Sequence, residues 1–293
     1  LLIPVKFNAP IIPCFFSGAR QQLPLFSLFR GREKNFLRFS LRPGILKGKN
    51  SPQEGEDKEG ITMLPPVPMH VIATMHSAFP TKFGIPRQSG LVSELQSTIV
   101  FEPEYRNPDA LRGIEGFSHL WLVWSFSKAV RKTWSPTVRP PRLGGNTRMG
   151  VFATRSPFRP NAIGLSSVKL NGIEETAHLG TVLHVSGADL LDGTPIFDIK
   201  PYLPYTDAHP DATGGFTQSY TGYHLEVIFP PDLLEQVPPD LRPALTGVLA
   251  QDPRPSYQDD PERVYGMAFG GLEVKFKVCE KTLAVVSVEK SSL

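Results

Sequence analysis

A chain of 293 residues, 40% hydrophobic and 20% charged, holds enough apolar material for one large globular domain or two smaller ones. No apolar run approaches the roughly 20 residues of a membrane span, and thirty prolines argue against long helices and for short strands joined by structured loops. The net charge of +3 divides unevenly: residues 1–60 hold ten of the 31 Lys/Arg and five of the 28 Asp/Glu, which leaves 21 basic against 23 acidic residues, a net of −2, for the rest. A near-neutral body excludes general attraction to a polyanion, so any nucleic-acid surface has to be local. Cys14 and Cys279 make neither a zinc cluster nor a disulfide framework, and a reducing, cytoplasmic setting without a metal site is expected.

Residues 1–66 differ from the rest and are left unassigned. Through Asn50 the only acid is Glu33, among scattered basic and aromatic residues, and 51–60 is a polar, charged stretch of linker type. Three readings stand side by side: a fragment, an upstream region translated in error before Met63 or Met69, or an organellar transit peptide. From His70 the texture is β-rich. The segments 70–75, 98–101, 120–126, 149–154, 165–170, 181–186 and 195–199 read as strands, short, β-branched or aromatic, and bounded by Gly, Pro or Asp. Seven strands with little room for crossover helices suggest a closed or nearly closed barrel. Residues 107–113 suit a short helix. A second unit begins near Tyr223, with a helix over 240–250 capped by Asp240 and a hairpin of 272–278 with 282–288. The expected fold is therefore mainly β: a barrel domain over 67–222 and a small α+β appendage over 223–293.

Between Glu115 and Glu174 there is no acidic residue, while Lys128, Arg131, Lys132, Arg139, Arg142, Arg148, Arg155, Arg159 and Lys169 fall inside the interval. Trp121, Trp124, Trp134 and Phe158 are interleaved with them. Phosphates met by arginine and bases stacked on rings would account for the pattern; arginines that brace prolines and carbonyls would account for it without a ligand. Several chemistries lack their motifs. The chain has no G-x-G-x-x-G, P-loop, H-E-x-x-H, G-x-S-x-G or zinc-deaminase signature, so a nucleotide cofactor would have to bind without a Rossmann sheet.

Longer blocks carry a resemblance. The run from Arg139 to Asn146 (RPPRLGGN), the run from Arg148 to Ser156 (RMGVFATRS) and the run from Phe158 to Leu165 (FRPNAIGL) closely resemble the TrmO family of methyltransferases, also called YaeB or TsaA-like. So do PRQ at Pro86–Gln88, GFSHLW at Gly116–Trp121, DLLDGTP from Asp189, DIKPY ending at Tyr202 and DPRP at Asp252–Pro255. The resemblance covers about residues 67–290. It implies a single-sheet β-barrel that binds S-adenosyl-L-methionine (AdoMet), a homodimer with sites near the subunit interface, and methylation of the exocyclic N6 of threonylcarbamoyl-adenosine beside the anticodon of tRNA.

The family's cofactor pocket maps onto Pro86, Arg87, Gln88, His119, Leu120, Arg155, Leu165, Asp189, Leu190, Leu191 and Asp192. Arg87 or Arg155 suits the carboxylate of AdoMet, Asp192 its ribose hydroxyls and Gln88 its adenine edge. The basic block, with Arg131, Lys132, Arg139, Arg142, Arg148 and Arg159, and Arg254 beyond it, is the expected RNA surface. Asp252 is the candidate general base. Each has a purely structural counterpart: His119 as a hydrogen-bonded barrel residue, Asp189 and Asp192 as turn residues, Arg155 and Arg159 as loop braces, Asp252 and Arg254 as parts of a rigid elbow. A barrel that binds AdoMet or RNA without turnover, and an enzyme acting on another base or a small molecule, are the competing functions. Since residues 1–60 match none of the blocks, a chain starting at Met63 is expected to fold and to methylate tRNA like the full chain; circular dichroism and a methylation assay on both test this, and an insoluble or inactive short form refutes it.

Overall fold

The computed structural model describes residues 67–292 except 131, 132, 141, 142, 144–146, 221, 256, 257 and 259. In chain order its strands are β1 (Ala73–His76), β2 (Gln96–Phe101), β3 (His119–Ser125), β4 (Thr137–Val138), β5 (Met149–Gly150), β6 (Ile163–Thr176), β7 (Gly180–Ser186), β8 (Thr194–Pro201), β9 (Glu226–Ile228), β10 (Tyr265–Phe269), β11 (Leu272–Cys279) and β12 (Thr282–Lys290). Six of them close a barrel in the order β1-β2-β7-β6-β3-β8, antiparallel at every seam.

The barrel follows from alternation. In β3, Leu120, Leu122 and Trp124 are buried while His119, Trp121, Val123 and Ser125 point outward, the period-2 pattern of a sheet with one wet face. These three join Ala73, Met75, Ile99, Val168, Leu183, Val185, Leu190 and Ile196 in a core that fills the interior with side chains, as expected of so few strands. β6 pairs across Trp124 at Gly164, and the indole lies on that glycine. A Cβ there would stand 2.2 Å from the ring.

Two expectations are corrected and one is met. Residues 149–154 do not supply a seventh barrel strand: β5 pairs only with β4 in a two-stranded ribbon and gives way to a 3-10 turn at Val151–Ala153. Prolines 136, 140, 157 and 160 bracket this ribbon and donate no hydrogen bonds, so it cannot be laddered into the sheet. The segment 107–113 does hold a short helix, of 3-10 type over Pro108–Leu111, capped by the Asn107 side chain accepting from the Asp109 amide at 3.0 Å. Asp240 caps nothing. The helix runs Arg242–Ala250 from Leu241, with Pro243 in a first turn that already lacks one donor. β6 also runs on to Thr176, past a register shift between Leu170 and Gly172 that reads as a break in the sequence.

Downstream, the helices Pro231–Glu235 and Arg242–Ala250 accompany a four-stranded sheet ordered β10-β11-β12-β9. The hairpin β11–β12 is antiparallel, and β9 joins β12 in parallel. Ala244, Leu245, Val248 and Leu249 form one buried helix face in a second core with Phe269, Val274, Phe276 and Leu283. Phe79, Val92 and Leu95, from the connection between β1 and β2, belong to this second core, so 64–293 holds together as one unit. Gly84 shows how close the approach is: its φ is +93° and a Cβ would fall 2.2 Å from Met267 Sδ. Among the described residues no helix is long and apolar enough to cross a membrane.

The Trp124–Gly164 contact generates a stability prediction. Gly164→Ala is expected to lower stability by about 1–3 kcal/mol, the usual cost of overpacking a filled core. Urea unfolding of the variant beside the wild type measures it, and an unchanged midpoint refutes the contact.

Candidate active site

Where β3 ends and β6 begins, the barrel opens into a cleft of about 500 Å³, within the roughly 300–1,000 Å³ usual for small-molecule sites. Ser125 and Phe126 lie at the end of β3, and Ile163–Leu165 at the start of β6. Two loops, one with Pro86–Gln88 and one with Thr154–Arg159, and the turn from Asp189 to Thr194 close the sides. The wall carries Lys82, Arg87, Lys128, Arg155 and Arg159, and among the described residues its one acid is Asp189.

That acid is held from behind. Trp124 Nε1–H donates to Ser166 Oγ at 2.9 Å, and the Ser166 hydroxyl donates to Asp189 Oδ1 at 2.5 Å. Burial raises the Asp189 carboxyl above the ordinary range, against the Ser166 hydrogen bond and the positive charge of Arg155, which both pull it down. A second chain of contacts runs along the cationic wall. Arg155 donates to Gln88 Oε1, Gln88 donates to the Arg87 carbonyl, and Arg87 donates to the Arg254 carbonyl at 3.2 Å. Arg254 is only 8% exposed and grips Asp252 through both carboxylate oxygens, at 2.9 and 3.0 Å. The Tyr223 hydroxyl donates to Asp252 Oδ2 at 3.0 Å. Burial pushes the Asp252 carboxyl up, but the hydrogen bonds and charge of Arg254, with Tyr223, outweigh it and leave the group below the usual carboxylate range.

The comparisons with known proteins now bear on this arrangement. The chain matches the tRNA-methyltransferase O N-terminal domain over residues 74–208 and the TrmO C-terminal domain over 223–291. It is 42% identical over 227 residues to the tRNA (adenine(37)-N6)-methyltransferase of Escherichia coli (strain K12), covering 74% of this chain and 96% of that one. The chain belongs to the TrmO family. It is also 51% identical over 171 residues to the enzyme of the same name from Eikenella corrodens, covering 58% of this chain and 95% of that one. A crystal structure of TrmO from Pseudomonas aeruginosa superimposes with a TM-score of 0.64 at 33% identity, over 78% of this chain and 100% of that one. The protein is thus a methyltransferase built on a closed barrel.

Of the residues the TrmO blocks single out, Pro86, Arg87, Gln88, Arg155, Leu165, Asp189 and Leu191 stand together on the cleft wall, with Arg159 beside them. Leu120 and Leu190 are fully buried in the barrel core. Asp192 is exposed on the flank of its turn, accepting from the Ser77 amide at 3.1 Å with His76 Nδ1 at 3.5 Å. His119 is exposed at the start of β3, with Ser118 Oγ 3.0 Å from its Nδ1 and the Tyr202 ring 6.2 Å away. The cleft is at the far end of that strand, five residues and roughly 16 Å away at the usual rise. Asp252 does not line the wall and is linked to it through Arg254 and Arg87.

Arg139 and Arg148 are exposed, and Arg148 donates to Thr137 Oγ1 at 3.0 Å. Arg131, Lys132 and Arg142 lie outside the described residues. Arg254, expected at the RNA surface, is instead buried with its charge taken up by Asp252, so it offers no face to a phosphate. Sequence reasoning missed Ser166, Trp124 as its donor, and Lys82. Ser166 had left a signal: it is a hydroxyl on the inward row of β6, between Gly164 and Val168.

Because the Asp189 carboxyl is raised by burial, the folded state binds its proton more tightly than the unfolded chain. Its stabilising contribution is present below the unfolded value and is lost as pH rises through the folded one. Asp189→Asn, whose carbonyl can still accept from Ser166, should therefore be more stable than wild type near neutral pH, with the difference closing towards acid. Melting temperatures of both proteins from about pH 4 to pH 8 test this; a constant difference refutes it.

Proposed function

We propose that this chain transfers the methyl group of AdoMet to the exocyclic N6 of threonylcarbamoyl-adenosine next to the anticodon in tRNA, and that it does so as a homodimer. One observation carries the reading: the cleft combines a cationic wall with, among the described residues, one half-buried carboxylate, fixed by Ser166, at the place where the family's blocks converge. AdoMet has a carboxylate, a sulfonium cation and polar adenine and ribose edges. Arg87 and Arg155 suit the carboxylate, Asp189 the cationic end, and Gln88 the polar edges, while Pro86, Leu165 and Leu191 offer apolar contact. Leu120 and Leu190 hold this wall from within the barrel, and Asp192 ties down the turn beneath it. The residues present fit the cofactor.

Bound there, AdoMet supplies an electrophilic methyl group carried on sulfur. The protein's task is positioning, because the acceptor must be held in line with that group at roughly 3 Å. The acceptor nitrogen is a poor nucleophile, with its lone pair delocalised into the purine ring and the ureido carbonyl. A cation near that carbonyl would stabilise the charge left when the nitrogen loses its proton. Arg159 on the cleft wall can do this or can pair with the threonyl carboxylate, which an unmodified adenosine lacks. We assign Asp252 to holding Arg254, and through its backbone Arg87, since a carboxylate already paired and held below its usual range is a weak base. We treat 67–222 as the barrel domain and 223–293 as the unit that supplies this support.

The homodimer rests on His119. It belongs to the family's cofactor block yet sits far from the cleft of its own chain, so it can approach cofactor only across a subunit boundary. Arg139 and Arg148 would meet the tRNA backbone.

Arg87→Ala and Arg155→Ala should each weaken AdoMet binding by about 1.5–3 kcal/mol, the value of a charge-assisted hydrogen bond to a charged ligand. Calorimetry reads the loss, and wild-type affinity in both variants removes their role. Labelled AdoMet with tRNA lacking the modification, followed by nucleoside analysis, tests the reaction itself: label in a different nucleoside, or none, overturns it.

A further inference from the structure

Beside the cleft lies a smaller one of about 300 Å³, and the two share Ser125, Pro157, Arg159 and Ile163 as a common wall. Trp134 lines its mouth and is 50% exposed. Phe152, 70% exposed, stacks against Trp134 with ring centroids 6.2 Å apart and planes at 27°. The Arg159 guanidinium sits over the Phe152 ring at 5.9 Å, and its Nη1 donates to the Thr154 carbonyl at 2.8 Å. Phe197 and Met69 lend apolar surface, Asn161 a polar edge, and none of the described lining residues is acidic.

These features do not belong to a folding core. Two large rings left in water, with a guanidinium anchored above one of them, are costly unless something flat covers them. A flat, electron-rich, anion-linked ligand fits: the rings give a stacking face, Asn161 a hydrogen-bonding edge, and the exposed Arg139 and Arg148 a path for phosphates. Resting on the tRNA reading above, we infer that the second cleft is a nucleobase subsite, which takes the unpaired base adjoining the one that enters the cofactor cleft. The shared wall keeps the two bases one side chain apart. That is within reach of neighbouring nucleotides in an unstacked loop, where RNA is read by splaying its bases onto aromatic side chains. Arg159 faces both cavities, so seating of the neighbour would also orient the target.

Stacking is worth about 1–3 kcal/mol per base on replacement by alanine, which is a loss in affinity of roughly 5- to 150-fold. Trp134→Ala in the full chain should weaken binding of a synthetic anticodon stem-loop by that factor, with Trp134→Phe recovering most of it. The salt dependence should keep its slope, because no phosphate contact is removed. AdoMet affinity by calorimetry should be unchanged, as Trp134 lies outside the cofactor cleft. A stem-loop with an abasic site at the adjoining nucleotide should bind wild type as weakly as Trp134→Ala binds the intact RNA, and the variant should lose nothing further. Wild-type affinity in Trp134→Ala, or independent losses from the variant and the abasic site, overturns the subsite while leaving the methylation reading standing. A change in the oligomeric state of the variant by size exclusion also overturns it, since the rings would then be a subunit contact. Failure of the wild-type chain to bind the stem-loop overturns both readings.

Discussion

The site depends on a half-buried carboxylate on the cleft wall, whose inner side the barrel has to satisfy. Asp189 accepts from Ser166, and Ser166 can turn its hydrogen to Asp189 because its oxygen is occupied by the Trp124 indole N–H. A buried polar group without a partner costs more than the net value of the bond it replaces, so this chain is best made complete or not at all. It also dictates the inner row of β6. Glycine at 164 leaves room for the indole and serine at 166 carries the relay, before Val168 returns the row to apolar packing. The wall of the cleft is thus part of the barrel core.

A second polar chain ties the cationic wall to the C-terminal unit. Arg254 and Asp252 are taken out of water together, and the cost of desolvating them is offset by a two-pronged contact and by the Tyr223 hydroxyl. Asp252 adopts φ of +52°, a left-handed conformation that aspartate tolerates better than most residues. The carbonyl that meets Arg87 is set by this elbow, and Gly84 packs the same loop against Met267. Arg87 is therefore oriented by residues far downstream in sequence. A barrel domain alone would lose the support for that side chain and for the loop that carries it.

Between β3 and β6 the chain leaves the sheet for residues 126–162 and brings back the basic and aromatic side chains. The inner part of this excursion supplies Arg155 and Arg159 to the cleft, and its outer part exposes Trp134, Phe152 and Arg148.

The sequence by itself determined that the protein is mainly β and barrel-like, through short β-branched or aromatic segments such as 120–126 bounded by Gly, Pro or Asp. It located the acid-free basic block and the contiguous runs that carry the family resemblance. These are local signals, readable because neighbours along the chain share a face or a loop. It misjudged 149–154, which pairs with β4 and then turns away from the barrel, and Asp240, since the helix starts one residue later, from Leu241, with Pro243 in its first turn. What only the tertiary structure decided are contacts between residues distant in sequence: Ser166 with Asp189, Arg87 with the Arg254 backbone, and the burial of Arg254, which looked like an RNA contact on charge alone. It also separated His119 from the cleft, since a strand carries its two ends apart however closely they follow in sequence. Burial and pairing decide whether a charged residue binds a ligand or braces the fold, and both are fixed by which distant segments pack together.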